Sequence, residues 1–389
     1  VLCLIAFLLS TSPGAAFELN ERLELKILRG IYFNDGLIGQ LPIPTGLGLR
    51  LNIREIRIAE PLETIITIRG KGGYPRVLLY RNAFGSPISS LITVPLEPGT
   101  EQVPTVGNIA YDKITADWEL GLIQGLARRP QAGTNLFEAF LMYRGRFEKP
   151  RSDTPTVLFE SVFPDREPLF NTVMFGGLNL DTVTVKPHGT KLGVYLEASA
   201  EWGPWFFGNR WQGDTDFLRL NAWTLGFIPL FDIRPEYERN TFSAYIALAG
   251  TFDWAVGRGV PLYVLGSVGG REPRMGLGAL VRGFEKERFD TAMKVFGSAE
   301  LRILLPSLGH PEFVPVLIGF ADVGFYRDYY IDPLDTPSGL LLSVGGGLYL
   351  ELFGTLQAGV SVGIPIIGER LDNRPVGILP AGRFHFRYE

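Results

Sequence analysis

Three stretches of the chain alternate apolar and polar residues with a period of two. In Lys191–Trp202, Leu192, Val194, Leu196, Ala198, Ala200 and Trp202 share one face, and Gly193, Tyr195, Glu197, Ser199 and Glu201 share the other. Thr355–Ile366 sets Leu356, Ala358, Val360, Val362, Ile364 and Ile366 against Thr355, Gln357, Gly359, Ser361 and Gly363. Leu340–Leu352 repeats the pattern, with Ser343, Gly345, Gly347, Tyr349 and Glu351 on its polar side. Successive side chains of a strand point to opposite faces, so each stretch predicts a strand with one apolar face. Similar reasoning predicts strands at Asp216–Leu230, Phe242–Val256 and Val295–Leu305. Earlier in the chain the expected strands are Arg22–Phe33, Leu47–Ile58, Glu63–Gly70, Arg76–Asn82, Ile109–Gly125 and Asn135–Phe147. Pro44-Thr45-Gly46 and Pro187-His188-Gly189-Thr190 read as tight turns, because Pro fixes φ and Gly supplies unusual φ. Ala83–Gly107 and Glu148–Glu167 read as surface loops.

Alternation alone fits either a soluble sandwich or a membrane barrel, and composition tips the balance. The chain is 46% hydrophobic, yet no stretch after the first residues is long and apolar enough for a spanning helix. A closed sheet satisfies its backbone N–H and C=O groups in lipid without exposed edges. The aromatic cluster Trp202, Trp205, Phe206, Phe207 and Trp211 sits at a strand end, as an interfacial girdle would. Val1–Leu9 is almost wholly apolar, Ser10–Pro13 breaks the run, and Gly14-Ala15-Ala16 offers the small residues of an export cleavage site. The expected organisation is a signal peptide over residues 1–16 and one barrel domain over 17–389. Cys3 is the sole cysteine and falls in the leader, which leaves the mature chain no disulfide framework or thiolate metal site. A net charge of −4 gives no reason to expect nucleic-acid binding. At roughly 23 residues per strand and connection, the barrel would have about sixteen strands.

The most telling stretch is Met275–Gly324. Arg282 lies in Val281-Arg282-Gly283-Phe284, Glu300 in Gly297-Ser298-Ala299-Glu300-Leu301-Arg302, and Asp322 in Phe320-Ala321-Asp322-Val323-Gly324. A loop carrying one arginine, followed by two strands each carrying a carboxylate, fits a loop tip pinned to a barrel wall. The planar guanidinium can grip both acids, and pairing offsets the cost of holding charge away from bulk water. The plainer alternative is an ordinary basic loop, with Glu300 and Asp322 facing water in a pore.

From about Thr182 to the C-terminus the chain resembles the BamA/TamA superfamily of outer-membrane assembly barrels, the surface-antigen family. That family folds a long loop into its lumen, with a V-R-G-F/Y tip whose arginine meets acids on the next two strands. The resemblance implies an all-β fold, a transmembrane antiparallel β-barrel with an inward-folded loop. It implies that Val281, Arg282, Gly283 and Phe284 form the tip, with Gly297, Glu300, Phe320, Asp322 and Gly324 as wall partners. Arg383–Tyr388, with Phe384, Phe386 and Tyr388 on one face, looks like the C-terminal recognition strand of such barrels, although Glu389 follows it. Family members normally carry periplasmic polypeptide-transport-associated domains, and here Phe17–Asn20 leads almost directly into the first expected strand, so a barrel without them is expected.

Parity supports the loop's placement. If Pro187–Thr190 is a periplasmic turn, the connection after Val256 is extracellular and carries Arg282. Glu300 then faces the lumen with Ser298 and Arg302. Asp322 can do so only if Ile318 and Phe320 do too, which leaves Leu317, Gly319, Ala321, Val323 and Phe325 outside. No enzyme is expected: His188, His310 and His385 make no metal-ligand spacing, and neither a G-x-S-x-G elbow nor a P-loop occurs. No cofactor or metal is expected. The expected partners are outer-membrane lipid, client outer-membrane proteins and a periplasmic accessory protein. The expected role is to insert or translocate proteins or lipids at the outer membrane. The alternative is a passive pore or surface-exposed structural barrel.

Overall fold

The computed structural model describes residues 16–20, 23–31, 44–56, 62–82, 106–129, 135–151, 167–185, 190–210, 214–233, 242–272, 274–284, 289, 291–309, 313–327, 338–352, 356–368 and 387–388. The N-terminal half contributes β1 (Ala16–Asn20), β2 (Leu23–Ile31), β3 (Pro44–Ile56), β4 (Thr64–Gly73), β5 (Arg76–Asn82), β6 (Val106–Arg128), β7 (Asn135–Arg151), β8 (Leu169–Asp181) and β9 (Thr184–Val185). Then come β10 (Lys191–Gly203), β11 (Asp216–Ile233) and β12 (Phe242–Arg258). The long connection that follows holds α1 (Leu262–Leu265), β13 (Ser267–Val268), β14 (Arg274–Met275) and α2 (Leu277–Leu280). The wall resumes with β15 (Met293–Leu304), β16 (Phe313–Arg327), β17 (Ser338–Leu352), β18 (Leu356–Ile367) and β19 (Arg387–Tyr388).

All but β13 and β14 belong to one sheet of seventeen segments, and every pairing in it is antiparallel. β4 and β5 lie end to end along β6, and β8 and β9 along β10, so among the described residues the sheet is fifteen strands wide. That is close to the sixteen expected from length. Pro44-Thr45-Gly46, expected as a turn, instead opens β3: Pro44 lies opposite Ile31 and Gly46 opposite Gly30. Proline is tolerated as the first residue of a strand, where its missing N–H breaks no ladder bond. β8 was not expected at all, because its run LFNTVMFGGLNLD does not alternate cleanly. Residues 187–189 lie outside the described residues; on either side of them Val185 pairs antiparallel with Lys191.

Burial along the strands is inverted relative to a water-soluble protein. On β10 Glu197 is 2% exposed while its neighbour Leu196 is 43% exposed. Ser199 and Glu201 are buried beside Glu197, and Leu192, Val194 and Trp202 are exposed with Leu196. β17 and β18 show the same inversion: Ser343 and Ser361 are buried, and Leu340, Val344, Leu348, Val360, Ile364 and Ile366 are exposed. A soluble sandwich would bury the aliphatic side in a core, and this sheet turns it outward. Trp202, Trp205 and Phe206 are exposed too and stack edge to face, at 5.7 Å and 6.1 Å between rings. Trp211 lies outside the described residues. Together these features define a β-barrel whose polar interior faces its own loop and whose outer face suits an apolar medium.

Candidate functional site: the loop that fills the barrel

Between Arg258 and Met293 the chain turns into the barrel and is held there by charged side chains on several walls. β12 and β15 are direct neighbours, Ala247 opposite Glu300, so the whole connection leaves and re-enters the sheet at one place. Its apolar residues become the core of the interior. Leu277, Val281, Phe284 and Phe289 pack with wall residues Phe296, Tyr326 and Leu341, and Phe289 lies 4.9 Å from the Tyr326 ring. The α2 helix of one turn is stopped at Val281, where the backbone becomes extended. Gly283 then takes φ +102, a conformation that side chains resist, and an added Cβ would meet the Gly363 carbonyl oxygen at 2.8 Å.

This bend presents Arg282 to the wall. Its Nε donates to Asp322 Oδ2 at 2.7 Å and its Nη2 to Asp322 Oδ1 at 2.7 Å, a bidentate fork. The Arg282 backbone N–H also donates to Asp322 Oδ2, at 3.1 Å. Nη1 donates to Glu300 Oε1 at 2.6 Å, and Nη2 reaches Ser298 Oγ at 3.2 Å. The Ser298 hydroxyl donates to Asp322 Oδ1 at 2.7 Å. Glu300 turns its other oxygen to Arg302, whose Nε donates at 2.7 Å and whose Nη1 donates to Tyr245 Oη at 3.4 Å. The guanidinium lies 3.4 Å above the centre of the Phe320 ring, which adds a cation–π contact. Burial works against the Arg282 charge, but the Asp322 hydrogen bonds and the two carboxylates outweigh it and raise its pKa above the usual guanidinium value.

The wall residues fall where parity puts them. Ile318, Phe320, Asp322 and Gly324 of β16 face inward, and Leu317, Gly319, Ala321 and Val323 face outward. Gly324 lies directly under the loop, where an added Cβ would sit 2.7 Å from Val281 Cγ2. Gly297, which the resemblance gives as a wall partner, stands on the outer face of β15, the side opposite Ser298, Glu300 and Arg302. Residues 296, 298, 300 and 302 hold the inward positions there, and an added Cβ at Gly297 would meet Val323. Phe384 and Phe386 lie outside the described residues, and Tyr388 is described only as part of β19, opposite Leu356.

Two further anchors went unread in the sequence. At the loop's root, Asp253 on β12 receives Arg219 Nε at 2.9 Å and Nη2 at 3.0 Å, the Gly269 backbone N–H at 2.9 Å and the Lys294 ammonium at 3.3 Å. Lys294 also donates to the Leu265 and Thr291 carbonyls, at 2.7 Å and 2.9 Å, and so ties α1 to the wall. Across the interior, the turn at Gly270 (φ +124) meets β7 and β10. Arg144 donates to the Gly270 and Arg271 carbonyls at 3.0 Å and 2.5 Å, and Arg271 Nη1 donates to Glu138 Oε2 at 2.7 Å. Glu197 accepts from the Arg271 N–H at 2.6 Å and from the Tyr195 hydroxyl at 2.8 Å. The available signal was a charge at an inward parity position, as at Glu197, Arg219 and Asp253.

The fold and this arrangement define a class: a β-barrel whose interior is occupied by an ion-paired loop. The chain is similar in structure to a BamA barrel from Haemophilus ducreyi lacking POTRA domains 1–3, with a TM-score of 0.51 and 14% sequence identity. The likeness covers 89% of this chain and 62% of that one, so the chain spans less than two thirds of that structure's length. At this identity the likeness establishes the barrel fold. No protein-family model and no curated protein sequence matches the chain.

Proposed function

We propose that this chain is an outer-membrane barrel of the BamA type that assists insertion or translocation of proteins or lipids at that membrane. The observation that carries the reading is the interior loop clamped to the wall by Arg282, Asp322 and Glu300, in a barrel similar in structure to a BamA barrel. The outward aliphatic face supports placement in a bilayer, and the clamped loop supplies a rigid wall. The mechanism is non-enzymatic: the barrel guides the client at the membrane while Arg282 braces β15 and β16.

The test is an insertion assay with the purified, refolded chain in liposomes. Unfolded client barrel is added, and protease-resistant folded client is followed over time. Acceleration that declines in Arg282→Ala is the expected result. Absence of acceleration by correctly folded protein would refute the assembly role and favour a structural barrel. A wide passive pore fits less well, because the loop and its anchors occupy the interior between β7 and β16.

A further inference from the structure

The outer face of the barrel is not evenly clad. A groove of about 580 Å3 is sunk into it across β8, β10, β11 and β12, a volume within the range of small-molecule sites. Strand register sets Leu196, Thr224 and Gly250 in one outward row and Ala198, Ala222 and Phe252 in the next. The four small residues among these form the floor. Leu178 and Leu180 on β8 wall one side, and Phe252 walls the other. Among the described residues that line the groove, the only outward polar side chain is Thr224. Nothing here would orient a charged or strongly polar ligand.

Two aromatic belts fix the depth of the groove. Trp202, Trp205 and Phe206 mark one, and the exposed pair Phe231 and Phe242, 5.3 Å between rings, marks the other. Trp202 pairs with Leu218, and Phe231 lies thirteen residues further along β11. That is about 43 Å of strand, or roughly 30 Å of depth at the ~45° tilt of membrane strands, which is the thickness of a bilayer's hydrocarbon core. Thr224 lies six residues from Leu218 and seven from Phe231, so the groove sits at mid-depth. An unfilled groove leaves its lining without partner atoms on one side. Lipid tails are as apolar as leucine, so a chain that sinks in gains close contact rather than escape from water.

We infer that this groove seats the end of one long acyl chain of a membrane lipid. The head group stays at the aromatic belt, about 15 Å away in depth, so the site selects by chain length and not by head group. The inference rests on the outer face meeting lipid and not on the assembly role, so failure of the insertion assay leaves it standing.

The experiment is photolabelling of the full chain folded into dioleoyl-phosphatidylcholine vesicles. One probe is phosphatidylcholine with a diazirine at the end of a palmitoyl chain, and the other carries it at the end of a decanoyl chain. Labelled positions are mapped by peptide mass spectrometry. The palmitoyl probe should label Leu178, Leu196 and Phe252 more heavily than Val323, an outward residue of β16 in the same strand-register row as Gly250. The decanoyl probe should show no such preference. Ala222→Leu fills the floor, and forfeiting about ten atom contacts should cut labelling of the groove walls roughly tenfold. Gly319→Leu, on the outer face of β16 where an added Cβ meets nothing within 4 Å, should leave it unchanged. Heat-modifiable gel mobility verifies folding, and Ala198→Leu repeats the test if Ala222→Leu does not fold. Even labelling of the outer face at this depth would overturn the site, as would wall labelling undiminished in both leucine variants. Equal preference with the decanoyl probe would overturn selection by chain length. A groove labelled less than the rest of the face, in a barrel that migrates as a dimer, would put a second copy there in place of lipid.

Discussion

Removing Arg282 should cost the folded barrel more than removing Arg282 and Asp322 together. Arg282 is 12% exposed and Asp322 is fully buried, so Arg282→Ala strands a carboxylate that keeps two neutral donors, the residue 282 backbone N–H and the Ser298 hydroxyl, but loses its counter-charge. Stranding one member of a buried ion pair costs about 3–5 kcal/mol. Loss of the contact with Phe320 adds about 1–2 kcal/mol. Glu300 is not stranded in the same way, because Arg302 still holds its second oxygen. In Arg282→Ala/Asp322→Ala the lone buried charge is gone and the loss of packing remains, so about 2 kcal/mol or more of the single variant's deficit should return. The assay is equilibrium urea unfolding of the refolded protein in detergent, read by tryptophan fluorescence and by heat-modifiable gel mobility. A single variant within about 0.5 kcal/mol of wild type would refute the clamp as a stabilising device. A double variant no better than the single would refute the stranded-charge account.

Other perturbations test the surrounding structure. Gly324→Val should displace Val281 and destabilise the barrel by about 1–3 kcal/mol, since the space under the loop is filled; an unchanged unfolding midpoint would show the loop is not seated there. Asp253→Ala should cost about 3–5 kcal/mol by leaving Arg219 and Lys294 buried without their shared carboxylate, measured by the same unfolding curve. On the outer face, Leu348→Arg should reduce folding into vesicles by about 2–4 kcal/mol if it sits near the bilayer midplane. The same change would be tolerated if that face met water. Arg144→Ala should free the Gly270–Arg271 turn and raise single-channel conductance in planar bilayers, whereas unchanged conductance would mean the turn holds without it.

The strands with clean alternation were legible in the sequence because a period of two is imposed by backbone geometry itself. β10, β11, β12 and β15 begin and end within a few residues of their expected limits. β8 was missed because its inward side mixes Val173 and Phe175 with Asn171 and Asn179, which erases the contrast between faces. The uneven alternation of β16 has a comparable origin: Ile318 and Phe320 face inward because Phe320 underlies Arg282 and Ile318 packs in the interior cluster with Tyr245 and Tyr349. The positions of Arg282, Glu300 and Asp322 could be anticipated from one loop and two adjacent strands. The anchors at Arg144 and Glu138 could not, because they depend on which distant wall the loop reaches, and no local pattern encodes that.

The reach of the loop also bears on the order in which the molecule can assemble. Its contacts with Arg144 close chain separations of 126 and 127 residues, whereas those of Arg282 close only 40 and 18. Short closures form early and long ones late, because each requires more of the chain's freedom to be given up before any contact repays it. The Gly270 turn can dock only on a β6–β7–β8 wall that already exists. Once β12 and β15 have zipped beside each other with the loop inside, it has no easy way out. The Arg282 clamp on β15 and β16 is therefore expected to form before the Gly270 turn docks on β7, so the loop is pinned to one wall first and captured by the far wall rather than inserted into a finished barrel.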